Sequence, residues 1–139
     1  MISFIVRSDI PLQAYSSLVI MAWKTKGSPE FERWFERLNG PEQEDVIAAI
    51  GLLQQRGPQL GAPHSSSIEQ SRFGHMRELR IQHAGRPYRV LYAFDPHRTA
   101  VLLVGGDKTG KDRWYDIHVP IADRLYEEYL QLLRREGLT

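Results

Sequence analysis

Apolar side chains recur at helical spacing near the start of the chain and at strand spacing through its middle. Phe31, Trp34, Phe35 and Leu38 lie on one helical face. Ser28 and Pro29 have the chemistry of an N-cap and a first helical residue, and Asn39 and Gly40 end the run. Pro41 opens a second helix. Glu42, Glu44 and Asp45 occupy its first turns, where carboxylates favour the positive end of the helix dipole, and Val46, Ile47, Ile50 and Leu53 form its buried stripe until Gly57 and Pro58 stop it. With only Asn39 and Gly40 between them, these helices are expected to pack as an antiparallel hairpin.

From Pro58 to Phe73 the chain is rich in Gly, Pro and Ser, has no period, and reads as a loop. The period then changes to two. Met76 to His83, Tyr88 to Phe94 and Thr99 to Val104 have strand length and β-branched or aromatic content, with short connections that imply an antiparallel meander. The third run is apolar at every position from Ala100 to Val104, as expected of a strand covered on both faces. Ile121, Leu125, Tyr126, Tyr129, Leu132 and Leu133 then mark a C-terminal helix, and Trp23 to Lys26 suggests an edge strand. The fold class is therefore α+β: two N-terminal helices packed on a twisted antiparallel β-sheet, with a C-terminal helix. Residues 23–139 form one domain, and residues 1–22 an N-terminal extension, expected to be loosely held.

Composition adds limits. The 139 residues suffice for one core, and 42% apolar with 25% charged residues is ordinary for a soluble protein. No apolar run spans a membrane, and the opening lacks a basic segment before its apolar stretch, so a cytoplasmic location is the expectation. The absence of cysteine excludes disulfides, thiolate nucleophiles and Cys-based zinc sites.

Charge changes the picture more. Between Arg72 and Arg113 there are nine Lys and Arg against four acids, in a chain whose net charge is only +1. A nearly neutral protein thus carries a basic sheet, the electrostatic footprint of a polyanion site. Gly105 to Lys111 reads GGDKTGK and fits a P-loop pattern after an apolar strand, but Asp112 stands where Mg²⁺ coordination needs Ser or Thr, and a meander is not a βαβ unit. A glycine-rich loop offering Lys108 and Lys111 is the better reading. His64, His75, His83, His97 and His118 show no paired helical spacing and no accompanying carboxylate cluster, so neither a metal nor a cofactor is called for. His75 and His83, bordering the first strand, have the chemistry of an acid or base. In that strand Arg77, Leu79, Ile81 and His83 share one face, and Glu78, Arg80 and Gln82 the other. The arginines have a plainer use as well, pairing with Glu78, Asp95 or helix carboxylates.

The stretch RELRIQHAGRPYRVLYAFDPHRTAVLLVGGDKTGKDRWYDIHVPIADRLYEEYL resembles the RelE/HigB-like toxins of bacterial type II toxin–antitoxin systems, and within them the phage-derived Gp49-like HigB branch. RELR, GRPYRV, the FDP turn, GGDKTG and the IAD–LY helix carry the likeness, which runs from about Trp23 to the C-terminal helix. The resemblance implies a RelE-like fold, a small metal-independent ribonuclease acting on mRNA at the ribosome, and a helix-turn-helix, HigA-like antitoxin as partner. It places Arg80 and Arg89 near the scissile phosphate, Lys108 as a cation after the last core strand and Tyr115 as an aromatic hydroxyl beyond it. Glu78 stands where well-known members have lysine, so their general base does not carry over.

Arginine suits phosphate contact and not proton transfer, since its pKa exceeds ~12. Arg80 and Arg89 are therefore expected as charge stabilisers, Tyr115 as base with its pKa lowered by surrounding cations, and Lys108 as acid or clamp; Glu78 or a histidine is the substitute base. Arg77, His83, Arg86, Lys111 and Arg113 are expected to contact RNA, with Trp114 either stacking on a base or packing in the core. The competing reading is a non-nucleolytic inhibitor, of DNA gyrase for example, as among the related ParE-like proteins, or a degenerate toxin that only binds its antitoxin.

Overall fold

The protein, described by a computed structural model at residues 2–3 and 22–138, is a mixed sheet with helices on both faces. In chain order the elements are β1 (Ile2–Ser3), β2 (Lys24–Gly27), α1 (Pro29–Glu36), α2 (Gly40–Arg56), β3 (Ser65–Ser67), β4 (Arg77–His83), β5 (Arg86–Phe94), β6 (Thr99–Asp107) and α3 (Trp114–Arg135). A short 3₁₀ turn, Gly57–Gln59, follows α2. Among the described residues no helix is long and apolar enough to cross a membrane.

Both N-terminal helices start on side-chain caps. Ser28 Oγ accepts from the Phe31 amide at 3.0 Å, and Asn39 and Glu42 form a reciprocal capping box at 2.9 and 2.8 Å. Helix α3 starts at Trp114, ahead of the apolar stripe that marks it in the sequence, and runs through Pro120. Proline in its second turn lies beyond the four amides that are unpaired in any helix, so it removes the bond that residue 120 would otherwise give to the Asp116 carbonyl.

The strand order is β1-β2-β6-β5-β4-β3. The meander β4-β5-β6 is antiparallel as expected, but β2 joins β6 in parallel, so the sheet is mixed. Nor is β2 an edge, because Ile2–Ser3 pairs with it antiparallel. Residues 1 and 4–21 of the expected N-terminal extension lie outside the described residues. The Gly, Pro and Ser stretch also supplies a strand missing from the sequence reading, β3, which pairs with β4 at the far edge.

Strand alternation divides the core in two. Leu79, Ile81, Tyr88, Val90, Tyr92, Ala100 and Leu102 meet Phe31, Val46, Ile50 and Leu53 of α1 and α2. Leu91, Ala93, Val101, Leu103 and Val104 meet Trp114, Val119, Ala122, Leu125, Tyr126 and Tyr129 of α3. Strand β6 is thus buried on both sides, which accounts for its unbroken apolar run.

Gly105 and Gly106, which suggested a phosphate loop, lie inside β6 and have a packing role. A Cβ on Gly105 would sit 2.4 Å from the Trp34 ring, and one on Gly106 would sit 2.7 Å from the Trp114 indole nitrogen. Glycine here admits one indole on each face of the strand. Trp114 is therefore core, 1% exposed and stacked on His118 at 4.2 Å, and is not presented to a base.

Candidate active site

The β4–β5 turn brings the first two catalytic candidates together. Ala84 and Gly85 adopt φ of 50° and 77°, the left-handed pair of a tight hairpin, and the register that follows sets Arg80 directly opposite Arg89. Both side chains take the α3 face, as does Glu78 two residues before Arg80. Tyr115, in the first turn of α3, comes down on the same patch.

Glu78 is at its centre. The residue is 4% exposed, and a carboxylate so buried is costly unless well paired. Its Oε2 accepts from Ser66 Oγ of β3 at 2.6 Å and from Arg80 Nε and Nη2 at 3.3 Å. Its Oε1 accepts from the Tyr115 hydroxyl at 2.5 Å and lies 3.2 Å from Arg89 Nε. That last contact is charge pairing without hydrogen-bond geometry, because the buried Arg89 Nε–H has no acceptor in line, while Arg89 Nη1 donates to the Tyr88 carbonyl at 2.9 Å.

These contacts set the protonation states. Burial pushes the Glu78 carboxyl up, but the hydroxyls of Ser66 and Tyr115 and the charges of Arg89 and Arg80 outweigh it, and its pKa falls below the usual carboxylate value. Tyr115 moves the other way. Burial and its bond to ionised Glu78 raise the phenol, and the neighbouring Arg89 does not reverse this. Surrounding cations were expected to lower Tyr115; its burial, together with the carboxylate beside it, decides the opposite sign. At neutral pH the pair is a carboxylate and a protonated phenol.

Lys108 completes the group, with its ammonium 5.6 Å from the centre of the Tyr115 ring. Its loop is well braced. Asp107 Oδ1 accepts from the Thr109 amide at 2.9 Å and hydroxyl at 2.5 Å, and the Lys108 amide donates to the Pro87 carbonyl at 2.9 Å. A cleft of about 520 Å³ opens beside these residues, lined by Ser67, Ile68, Glu69, Gln70, Glu78 and Tyr115.

The expected RNA contacts do not all reach this face. Arg77 points to the α2 side, where it donates to Ser65, Ser67 and the Leu60 carbonyl at 3.1, 3.1 and 3.3 Å. His83 Nδ1 is 2.6 Å from Asp45 Oδ2, and Arg86 reaches Asp107 at 3.1 Å and Glu42 at 3.5 Å, also on the α2 side. Strand alternation puts these three behind the sheet. Lys111 and Arg113 are exposed in the β6–α3 loop, Arg113 with only a loose 3.4 Å contact to Asp116. Of the other histidines, His75 Nε2 meets the Tyr126 hydroxyl at 3.0 Å and His118 Nδ1 the Trp114 carbonyl at 2.8 Å. Since the Tyr126 proton goes to the Phe94 carbonyl, His75 is the donor in its pair.

Ser66 is the participant the sequence reading missed. It lies in the three-serine β3, whose polar composition hides a strand, and its register opposite Glu78 is what makes it a donor. No spacing rule would have found it.

The family model for the phage-derived protein Gp49-like matches residues 33–127, which take in the second half of α1, α2, the meander and most of α3. Among curated relatives, a Mycobacterium tuberculosis (strain ATCC 25618 / H37Rv) protein described as "Putative toxin HigB3" is 48% identical over 103 residues, 73% of this chain and 89% of the relative. A second from the same strain, "Putative toxin HigB2", is 40% identical over 99 residues, 70% of this chain and 49% of that longer relative. With the α+β order of elements, these matches place the chain: it belongs to the phage-derived Gp49-like family, and with it to the HigB-like type II toxins of the RelE/ParE kind.

Proposed function

We propose that the protein is the toxin of a toxin–antitoxin pair and acts as a metal-independent endoribonuclease on mRNA at the ribosome, neutralised by a cognate helix-turn-helix antitoxin. The observation that carries the reading is the gathering of Arg80, Arg89, Lys108 and Tyr115 on one face around a single buried carboxylate, beside an open cleft. Three cations to one acid leave that face positive, as a phosphodiester requires.

In the proposed reaction the 2′-oxygen of RNA attacks the adjacent phosphorus and the bond to the 5′-oxygen breaks, leaving a 2′,3′-cyclic phosphate. Tyr115 takes the 2′-hydroxyl proton as it gives its own to Glu78, along the hydrogen bond it already makes. Raised in pKa, the phenol keeps its proton until the 2′-hydroxyl supplies another, and Glu78, lowered, is ionised and holds the acceptor oxygen of that bond. Arg89 and Arg80 hold the non-bridging oxygens, and Lys108 protonates the leaving oxygen. Arg80, 41% exposed, is free enough to turn from Glu78 towards phosphate. General-base chemistry of this kind contributes about 10²–10⁴ in rate, and one preorganised donor about 10²–10³.

Inducible expression with mapping of mRNA 5′ ends tests the reading. Wild type is expected to arrest growth and create new ends, and Tyr115→Phe and Arg89→Ala to abolish both. The commitment of both arginines and Tyr115 to Glu78 is what a non-nucleolytic binder would also display. Growth arrest without new mRNA ends would establish that alternative and end the ribonuclease reading.

A further inference from the structure

We propose that the cleft beside Glu78 and Tyr115 is a base-recognition subsite, in which Glu69 and Gln70 read the edge of one unstacked nucleotide and favour a base with an exocyclic amino group over uracil. The inference rests on the RNA reading above and adds what that reading leaves open, namely how one nucleotide is told from another.

Position comes first. The cleft shares Glu78 and Tyr115 with the catalytic group, so a nucleotide whose phosphate lies on Arg80 and Arg89 has its neighbouring base or sugar at the cleft mouth. Its volume of about 520 Å³ is enough for one base, within the ~300–1,000 Å³ usual for small-ligand sites.

Charge then decides which part of the nucleotide enters. Two carboxylates, Glu69 and Glu78, line the cleft, and no Lys or Arg does. A phosphate is repelled there, whereas an uncharged base is not. Ile68 and the Tyr115 ring offer apolar wall, and Ser67, Glu69 and Gln70 a polar rim. Unstacked bases are held in this way, by a side-chain face and by hydrogen bonds to their edges.

The rim chemistry sets the preference. A carboxylate only accepts, so Glu69 suits the amino groups of adenine, cytosine and guanine, while the two carbonyl oxygens of uracil oppose it. The Gln70 carboxamide both donates and accepts, and so pairs with the amino group and ring nitrogen of such an edge. Both residues are exposed, and among the described residues neither side chain is spent on a hydrogen bond or ion pair, unlike Ser67, which receives Arg77. They sit on the segment after β3, held to α3 by Ser71 Oγ and the Arg72 amide donating to the buried Asp123 at 2.5 and 3.1 Å.

The test is equilibrium binding of 2′-O-methyl oligouridine, which lacks the nucleophile, against the same oligonucleotide with one central uracil replaced by adenine, cytosine or guanine. Full-length wild type is expected to bind the amino-bearing oligonucleotides roughly tenfold more tightly. Glu69→Gln with Gln70→Leu is expected to remove that preference while binding oligouridine at least as tightly as wild type, which also reports that the variant is folded. Equal affinity for all four oligonucleotides, or a preference that survives in the double variant, overturns the subsite. A wild type that shows the preference but makes no new mRNA ends keeps the subsite and discards the ribonuclease; new ends without the preference do the reverse.

Discussion

The two faces of the sheet each carry a tyrosine bonded to a carboxylate beside an arginine, yet only one of them has the charge to meet a polyanion. On the α2 face Tyr88 donates to Glu42, which with Asp107 flanks Arg86, and Asp45 takes His83. On the α3 face Tyr115 donates to Glu78, which lies between Arg80 and Arg89 with Lys108 above the ring. The first has three acids to one arginine and ties α2 to the hairpin and to the loop of Lys108. The second has three cations to one acid and opens on a cleft. Residue types alone do not separate a strut from an anion site; the sign of the local excess and access to solvent do.

Neutralising each carboxylate should break this comparison most sharply. Glu78→Gln is expected to lower cleavage by about 10²–10⁴ by removing the final proton acceptor, yet to tighten binding of uncleavable RNA, because Arg80 and Arg89 lose their competitor. Glu42→Gln is expected to leave both unchanged and to cost stability of about 1 kcal/mol from a lost charged hydrogen bond. Single-turnover cleavage and denaturant melts measure the two effects. Equal loss of cleavage in both variants would erase the distinction between the faces.

Arginine deletion comes next in size. Arg89→Ala should cost about 10²–10³ in cleavage and about 1.5–3 kcal/mol in stability by weakening the pairing of a buried carboxylate. Arg86→Ala acts on the reaction only through the Lys108 loop, by releasing Asp107, and less than a tenfold loss is expected. Parallel kinetics of the two proteins would show Arg86 to be more than a positioning residue if their losses matched.

Much of this division was legible in the sequence, and what was not has local causes. Both helices announce themselves by caps and apolar spacing, and the meander by its period. The pairing of Arg80 with Arg89 was hidden because Ala84-Gly85 is not the usual Asn-Gly turn signal, and a different turn length would have moved one arginine to the other face. Three serines in β3 have no apolar period, and Pro120 interrupts the early turns of α3, so both were obscured. The sign of the Tyr115 shift depends on its own burial and then on Glu78, which the family likeness marked as a departure but whose burial no pattern reveals.

The two tyrosines should both contribute to alkaline stability. Burial and Glu42 raise Tyr88 to about 12, against about 10 in an unfolded chain. A phenol raised on folding stabilises fully below the unfolded value, and that contribution is lost as pH climbs through the folded one. Stability from denaturant titration is therefore expected to fall between about pH 10 and 12, and Tyr88→Phe to flatten the fall. Tyr115 shifts in the same direction, so Tyr115→Phe flattens it as well. At the acid end Glu42, Glu78 and Asp107 are all lowered, and their contribution is present above the usual carboxylate range and lost as pH drops below it. An alkaline limb unchanged by Tyr88→Phe would mean that the α2-face pair contributes nothing to folding.

The smallest effects should come from the outlying cations, and they test whether the faces differ beyond their centres. Lys111 and Arg113 are exposed on the loop that leads into Tyr115, so each is placed to neutralise a phosphate of RNA bound on the α3 face. Arg77 lies on the other side and is spent on Ser65, Ser67 and Leu60. Each phosphate contact removed lowers the dependence of log affinity on log salt by about one unit or slightly less. Lys111→Ala and Arg113→Ala are each expected to reduce that slope and weaken binding by a few-fold at moderate salt, while Arg77→Ala leaves the slope as it was. A salt titration of oligonucleotide binding reads all three. If Arg77→Ala lowered the slope as much as Lys111→Ala, RNA would have to wrap both sides of the sheet, and the α2 face would be part of the binding surface despite its acids.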